Sequence, residues 1–217
     1  MRLSALFIPV IIVLSGCMAS ETSRKVDTPR TTYSSSIPAQ KTLSVAIGNF
    51  NNKSTYQNGI FSDGEDRLGN QAQTVLMAHL NQSNRFSVLD RNNMEAAQTE
   101  AEFLKTSRNI KGAKYLVTGD VTEFGRKVLG DKQLFGLLGS GKQQVAYSKV
   151  ILNVVNVKTS EVVVSVQGAG EYKLSTREVL GFGGAASYDS TLNGKVLDLA
   201  VREAVDKLAA AADAGSF

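Results

Sequence analysis

The segment VAYSKVILNVVNVKTSEVVVSVQGAGEYKLS, residues 145–175, contains two long β-rich runs on either side of a short polar turn. The first run covers 145–157, the turn is Lys158–Glu161, and the second run covers 162–175. Runs rich in Val, Ile and Tyr that are bounded by polar clusters are typical of strands joined by a turn. The segment therefore predicts a long antiparallel strand pair in the C-terminal half of the fold.

The rest of the chain alternates strand and helix patterns around this segment. Strand patterns lie at 42–50, 86–89 and 115–124. Apolar residues at helical spacing follow an acidic cluster at 63–66 and recur at 92–105 and 194–212. In the second helix, the residues predicted to face inward are Met94, Ala97, Ala101 and Leu104. This order predicts an α/β fold, a mixed sheet with packed helices.

Two connections are longer than a compact domain needs. About twenty residues rich in Gly, Leu and Lys join 115–124 to 145–157, and a Gly-rich return follows the strand at 162–175. Insertions of this kind usually serve a function. We therefore predict two long β-hairpins, at 119–155 and 162–190, that are candidates for crossing a membrane in a shared barrel.

Hydropathy alternates along the second of these hairpins. A transmembrane barrel strand needs about 9–11 residues, apolar toward lipid and polar toward the lumen. A half-buried strand of an ordinary sheet has the same period of two, so the pattern leaves both interpretations open. The candidate lipid-facing residues are Val164, Val166, Tyr172, Leu174, Leu180, Phe182 and Tyr188.

The N-terminus has the features of a lipoprotein signal. Arg2 precedes an apolar run at 5–14, which is too short to span a bilayer because a spanning helix needs about 20 apolar residues. The cleavage-site residues are then Leu14, Ser15 and Gly16, directly before Cys17. This arrangement is similar to the lipobox, at which the signal is removed and the cysteine is acylated. We predict a signal peptide at 1–16 and a lipid on Cys17.

The segment that follows the signal is predicted to be a tether to the membrane. Residues 17–40 are rich in Ser, Thr and Pro, so they are predicted to link the lipid flexibly to a folded domain at 41–212. Cys17 is the only Cys in 217 residues, and acylation would remove a lone thiol from an oxidising compartment. By the lipoprotein sorting rule, Met18 after Cys17 predicts anchoring at the periplasmic face of the outer membrane.

Several functional classes are disfavoured. The net charge of +4 is mild and the basic residues are scattered, so no nucleic-acid partner is expected. Residues 136–142 match the spacing of a phosphate-binding loop, but Gln143 stands where Ser or Thr should bind Mg²⁺ and a β-rich run follows, so no nucleotide is expected. His79 is the only His and has no catalytic or zinc-ligand set around it. We predict a non-enzyme with no catalytic residue, metal or cofactor.

Several stretches together resemble the CsgG/HfaB family of envelope lipoproteins. They are the lipobox at 14–17, SVAIGNF at 44–50, RFSVLDR at 85–91, AKYLVTGD at 113–120 and VVNVKTSEV at 154–162. The resemblance covers about residues 42–208. It implies a homo-oligomeric ring whose subunits each lend two hairpins to one transmembrane barrel. Through such a barrel, amyloid-like or other fibre subunits leave unfolded, without ATP and with accessory proteins as partners.

The resemblance also implies a pore constriction from the loop after the first strand. The family places a Tyr and a Phe five residues apart there, and Tyr56 and Phe61 keep that spacing, while Ile60 replaces the family's Asn. The second hairpin is shorter than in the curli channel. The family also contains lipoproteins with no channel role. The alternative function is therefore a periplasmic binding module, anchored in the outer membrane, that docks on an envelope or cell-wall synthase partner.

Overall fold

The computed structural model of the chain describes residues 42–56, 64–132, 140–177 and 191–217. These residues form a five-stranded sheet of order β2-β1-β3-β4-β5 with three helices, which confirms the predicted α/β class. The strands are β1 (Leu43–Asn52), β2 (Phe86–Leu89), β3 (Tyr115–Lys132), β4 (Ser140–Asn156) and β5 (Val162–Arg177). The helices are α1 (Arg67–Gln82), α2 (Met94–Phe103) and α3 (Thr191–Asp213).

The sheet combines a parallel and an antiparallel half. β1 pairs in parallel with both β2 and β3, while β4 pairs antiparallel with β3 on one side and β5 on the other. The polar turn between β4 and β5 closes with a hydrogen bond from Asn156 N to Glu161 O at 2.8 Å. Ser160 in this turn has a φ of 59°. The predicted antiparallel strand pair around 158–161 is thus confirmed.

The core lies between one face of the sheet and helices α1 and α3. Val45, Val117 and Leu152 from three neighbouring strands are fully buried beneath these helices. Burying one such side chain contributes about 1.5–3 kcal/mol. The predicted apolar stripe of the last helix is confirmed, because all of its residues are buried, namely Leu197, Ala200, Val201, Ala204, Val205 and Leu208.

The apolar face of β5 lies under α3. A Cβ built on Gly168 would come 2.0 Å from Ala200 O, so the backbones of strand and helix touch there and only glycine fits. Val164, Val166 and Tyr172 on the same face pack against the core. The sequence pattern left open whether these three candidates face lipid or a core, because a strand that packs beneath a helix alternates with the same period of two, and in this structure they pack on the core.

Helix α2 is packed differently from the sequence prediction. No residue of α2 is buried, and Leu104 at its C-terminal cap is 71% exposed. Met94, Ala97, Ala101 and Leu104 therefore do not face a core. The reason is that α1 and α3 already cover the apolar face of the sheet, which leaves α2 no comparable surface to pack on.

The outer edge of β5 is bonded by two side chains of α3. Ala169 N donates to Glu203 Oε2 at 2.6 Å, and Lys207 Nζ donates to Gln167 O at 2.7 Å. Lys207 and Glu203 also pair with each other at 2.9 Å. Unbonded edge groups are templates for the addition of another strand. The Glu203–Lys207 pair therefore closes this part of the β5 edge.

We expect Glu203→Ala to lower the free energy of unfolding in a pH-dependent way. The hydrogen bond from Ala169 N–H holds the pKa of the Glu203 carboxyl below its ordinary value of 4.5, and Lys207 lowers it further against the opposing effect of partial burial. A carboxyl whose pKa is lower in the folded state stabilises the fold above its unfolded pKa and loses that effect as the pH falls through the folded pKa. The loss should therefore be present at neutral pH and shrink below 4.5.

Urea unfolding at neutral and acidic pH measures this difference. Glu171→Ala is the matched control, since Glu171 is an exposed carboxylate on β5 whose side chain pairs with Lys173 at 2.9 Å. Such exposed pairs contribute little to stability. An equal loss for Glu203→Ala at both pH values would contradict the assigned role of the carboxylate.

Candidate functional site at the loop end of the sheet

β1, β3 and β5 all run toward one end of the sheet, which we call the loop end. β1 is parallel to β3, and both β3 and β5 are antiparallel to β4, so the C-terminal residues of these three strands meet there. The residues that flank 57–63, 133–139 and 178–190 consequently lie at this end. The predicted constriction loop and the tips of both predicted hairpins lie outside the described residues, but the residues that border them lie at the loop end.

Three strands continue past the body of the sheet at the loop end. The β1–β3 ladder stops with Asn52 opposite Val121, whereas the β3–β4 ladder continues to Lys132 opposite Ser140. The β4–β5 ladder continues to Gly141 opposite Arg177. We call this three-stranded extension, residues 125–132, 140–147 and 171–177, the arm. The long connection predicted between 124 and 145 is therefore mostly strand.

A network of polar and aromatic contacts lies at the base of the arm. The Tyr56 ring meets the Phe124 ring edge to face, with centroids 4.7 Å apart. Asn193 donates from Nδ2 to Tyr56 Oη at 2.9 Å and accepts from Arg126 Nε at Oδ1 over 2.8 Å. One amide of α3 therefore joins the chain leaving β1 to the first arm strand.

The chain around 57–63 is held on both sides by one carboxylate. Asp66 caps α1 by accepting from Gly69 N at 2.7 Å, and its other oxygen accepts from Asn52 N at 2.7 Å. Asn52 in turn donates from Nδ2 to Tyr56 O at 2.7 Å. The end of β1 and the start of α1 are thus fixed to one another, which sets where the intervening loop leaves the body.

Cations lie on aromatic rings in and beside the arm. Lys127 Nζ is 5.0 Å from the centroid of the Tyr147 ring on the neighbouring strand. Lys195 of α3 lies 5.2 Å from the centroid of the Tyr172 ring on β5. Each such contact contributes about 0.5–1 kcal/mol at an exposed site. These pairs join β3 to β4 and α3 to β5.

The structure describes only part of the predicted site. The predicted residues outside the described ranges are Leu14, Ser15, Gly16, Cys17, Phe61, Leu180, Phe182 and Tyr188. Leu174 lies in the arm opposite Gln144. Tyr56, the first residue of the predicted constriction pair, is half-buried and packs on the core at the base of the arm.

Sequence reasoning missed the residues that hold the base of the arm together. Arg126 and Asn193 are 67 positions apart, and neither belongs to a local pattern that would mark it. The sequence assigned the single His no catalytic or metal-binding role and did not indicate its partner. His79 is in fact buried between α1 and α3, where its Nε2 lies 2.9 Å from Asp198 Oδ1. Both contacts depend on elements that meet only in the folded chain.

The fold and arm define an α/β domain with a three-stranded extension. Within the residues that the structure describes, no helix is long and apolar enough to cross a membrane. The model of the family described as curli production assembly/transport component CsgG matches residues 29–212. The chain therefore belongs to the CsgG family of lipoproteins, which confirms the resemblance found in the sequence.

The chain is also similar to individual proteins. A protein of Neisseria meningitidis serogroup B that is named as a lipoprotein is 56% identical over 207 residues, which cover 95% of this chain and 92% of the relative. Among solved structures, the PelC dodecamer from Paraburkholderia phytofirmans is 14% identical with a TM-score of 0.34, and the match covers 82% of this chain and 93% of that one. Lipoprotein GNA1162 from Neisseria meningitidis is 15% identical with a TM-score of 0.36, over 70% and 91% of the two chains.

Proposed function

We propose that this lipoprotein is a subunit of a ring-shaped outer-membrane channel that exports curli-like or other adhesive fibre subunits. The observation that carries the proposal is the arm, in which the β3–β4 ladder continues to Lys132 and the β4–β5 ladder to Arg177 beyond the core. In a chain of the CsgG family, such an extension is the part that would enter the bilayer.

The described part of the arm is shorter than a full barrel strand. At about 3.3 Å per residue, the five residues of β3 beyond Lys127, whose partner Val145 is still buried, extend about 16 Å, against the roughly 25 Å apolar band of a barrel, so the proposal needs residues 133–139 to supply the rest. Beyond Val121, β3 has no partner on its outer side among the described strands. An open edge is not tolerated in hydrocarbon, so neighbouring subunits would have to close it.

Tyr56 supports a constriction at the base of this arm. Its contacts with Phe124 and Asn193 hold Tyr56, the last described residue before 57–63, beside the first arm strand. A ring of subunits would repeat this loop around the entry to the barrel. Tyr56 and Phe61 are the residues proposed to narrow the lumen, and the exported chain would pass them unfolded and without nucleotide.

Anchoring completes the proposal. A lipid on Cys17 would hold the chain in the inner leaflet of the outer membrane, with the domain on the periplasmic side. The tether at 17–40 would let each domain find its place in the ring. Accessory proteins would deliver the fibre subunits on the periplasmic side.

Purified full-length lipoprotein in detergent tests the proposal. Electron microscopy should show rings, and reconstitution into planar bilayers should give ion conductance. Monodisperse monomers in lipid without conductance would overturn the channel. Cys17→Ser is the control for anchoring, since the variant should leave the membrane fraction, and its retention there would argue against a lipid on Cys17.

One observation favours the alternative, a periplasmic binding module without a pore. Charged residues fall on both alternating faces of the arm strand β3, with Arg126 on one face and Lys127 on the other. A Lys or Arg facing lipid at the bilayer midplane costs about 2–4 kcal/mol. A monomeric chain without conductance that retains a periplasmic partner on an affinity column would support this alternative.

A further inference from the structure

Exposed apolar side chains cluster at the end of α2. Of the large apolar residues that are exposed in the described part of the chain, three lie within 103–110, with exposed fractions of 75% for Phe103, 71% for Leu104 and 52% for Ile110. We call α2 together with the segment 104–111 the α2 face. An apolar cluster on a surface is typical of the centre of a protein contact.

The α2 face is divided into an acidic and a basic half. Helix α2 carries Glu95, Glu100 and Glu102 and no Lys or Arg. The segment 104–111 carries Lys105, Arg108 and Lys111 and no acidic residue. The two halves therefore have opposite charges.

The basic half folds back along the acidic helix. Arg108 donates from Nη1 to Met94 O at 3.0 Å and to Gln98 Oε1 at 3.1 Å, which fixes the returning segment beside the first turns of α2. The two halves consequently lie side by side on one surface. Their relative position is set by hydrogen bonds to backbone and amide oxygens, and not by ion pairs between the halves.

The charges of the two halves do not neutralise each other. Among the described residues, Glu95, Glu100, Lys105 and Lys111 form no ion pair. Each of these side chains is exposed. The acidic and the basic charges thus lie on one exposed surface together with Phe103 and Leu104, and all of them are available to a partner.

We propose that the α2 face binds the α2 face of a second copy of this chain across a two-fold axis. In such a contact the same patch meets itself, so the patch must be self-complementary. Phe103 and Leu104 would form the apolar centre, while the acidic helix of each copy lies against the basic segment of the other. The charge pattern is what selects a second copy as the occupant.

This contact is separate from the proposed channel. Subunits of a closed ring meet through two different surfaces, head to tail, whereas the α2 face would join two copies symmetrically. A pair of rings stacked face to face, or a simple dimer, satisfies the contact equally. The inference therefore stands whether or not the channel does.

Cysteine cross-linking tests the two-fold contact in the full-length lipoprotein. Two single variants, Phe103→Cys and Leu104→Cys, are treated with a short bis-maleimide. We expect covalent dimers from at least one of them, because a residue near a two-fold axis meets its own copy. Val162→Cys is the matched control, a 54% exposed apolar position on β5, the edge strand on the opposite side of the sheet from β2, and should stay monomeric. Absence of dimers from both α2 variants would overturn the proposal.

Charge reversal then tests what selects the partner. In the cross-linking background, Glu100→Lys with Glu102→Lys should reduce dimer yield roughly tenfold, since each copy loses two attractive contacts with the other and gains repulsion. Adding Lys105→Glu and Lys111→Glu to the same chain should restore the yield. An unchanged yield after the first reversal would overturn the electrostatic selection. Ring formation and conductance, measured in parallel, report on the channel independently.

Discussion

Gly168→Ala should lower the free energy of unfolding by about 3 kcal/mol or more, although it adds a single methyl group. A Cβ at this position would come 2.0 Å from Ala200 O, 2.6 Å from Ala204 N and 2.9 Å from Ala204 Cβ. Two of these three atoms belong to the helix backbone, so a side-chain rotation cannot relieve the clash. Overpacking of a core typically costs 1–3 kcal/mol, and displacing a whole helix lies at or above the upper end of this range.

Gly112→Ala is the matched control for this substitution. No atom lies within 4 Å of a Cβ built on Gly112, and its φ is not in the left-handed region. A glycine-to-alanine change at such a site stabilises by about 0.4–1 kcal/mol, because it restricts the unfolded chain. Urea unfolding followed by circular dichroism should separate the two variants by several kcal/mol. Similar free energies of unfolding for Gly168→Ala and Gly112→Ala would contradict the close contact between the backbones of α3 and β5 at Gly168.

Asp198→Ala should lower the free energy of unfolding by about 1–3 kcal/mol. His79 is only 2% exposed between α1 and α3, and its Nε2 has Asp198 Oδ1 as its partner at 2.9 Å. Removing the carboxylate leaves a buried imidazole nitrogen without that hydrogen bond. Removing one partner of a buried pair costs more stability than replacing both partners by apolar residues.

The double variant His79→Leu with Asp198→Leu distinguishes the stability lost with the His79–Asp198 hydrogen bond from stability lost through side-chain packing. Replacing a buried polar pair by apolar residues of similar volume is often neutral or stabilising. We therefore expect the double variant to regain most of the stability lost in Asp198→Ala. If the double variant is the less stable of the two, Asp198 acts through contacts other than His79. Thermal unfolding of the wild type and both variants measures the comparison.

The strand pattern of the chain was predictable because each strand signal is local. Alternation along 162–175 and the polar turn at 158–161 specify a strand, a turn and another strand without reference to the rest of the fold. The same holds for the last helix, whose apolar stripe has the period of an α-helix, and the structure buries that stripe. Family membership was also visible in the sequence, since it depends on short runs such as those at 44–50 and 113–120.

For two apolar faces the sequence did not specify what would cover them, and the cause is the same in both cases. Val164, Val166 and Tyr172 pack on the core beneath α3, although the pattern suited lipid equally well. None of the apolar positions of α2 is buried, although the pattern suited a core. Periodicity states that a face is apolar, but it does not state what covers that face.

By itself, the amino-acid sequence determined which segments are strands and helices and which family the chain belongs to. Secondary structure and family membership both depend on patterns of residues that are close along the chain. Only the tertiary structure decided that Asn193 joins Tyr56 to Arg126 at the base of the arm and that Glu203 and Lys207 close the edge of β5. It also decided which of two equally apolar faces is buried. These contacts join residues that are far apart in sequence, and their partners are chosen by how the helices and strands pack.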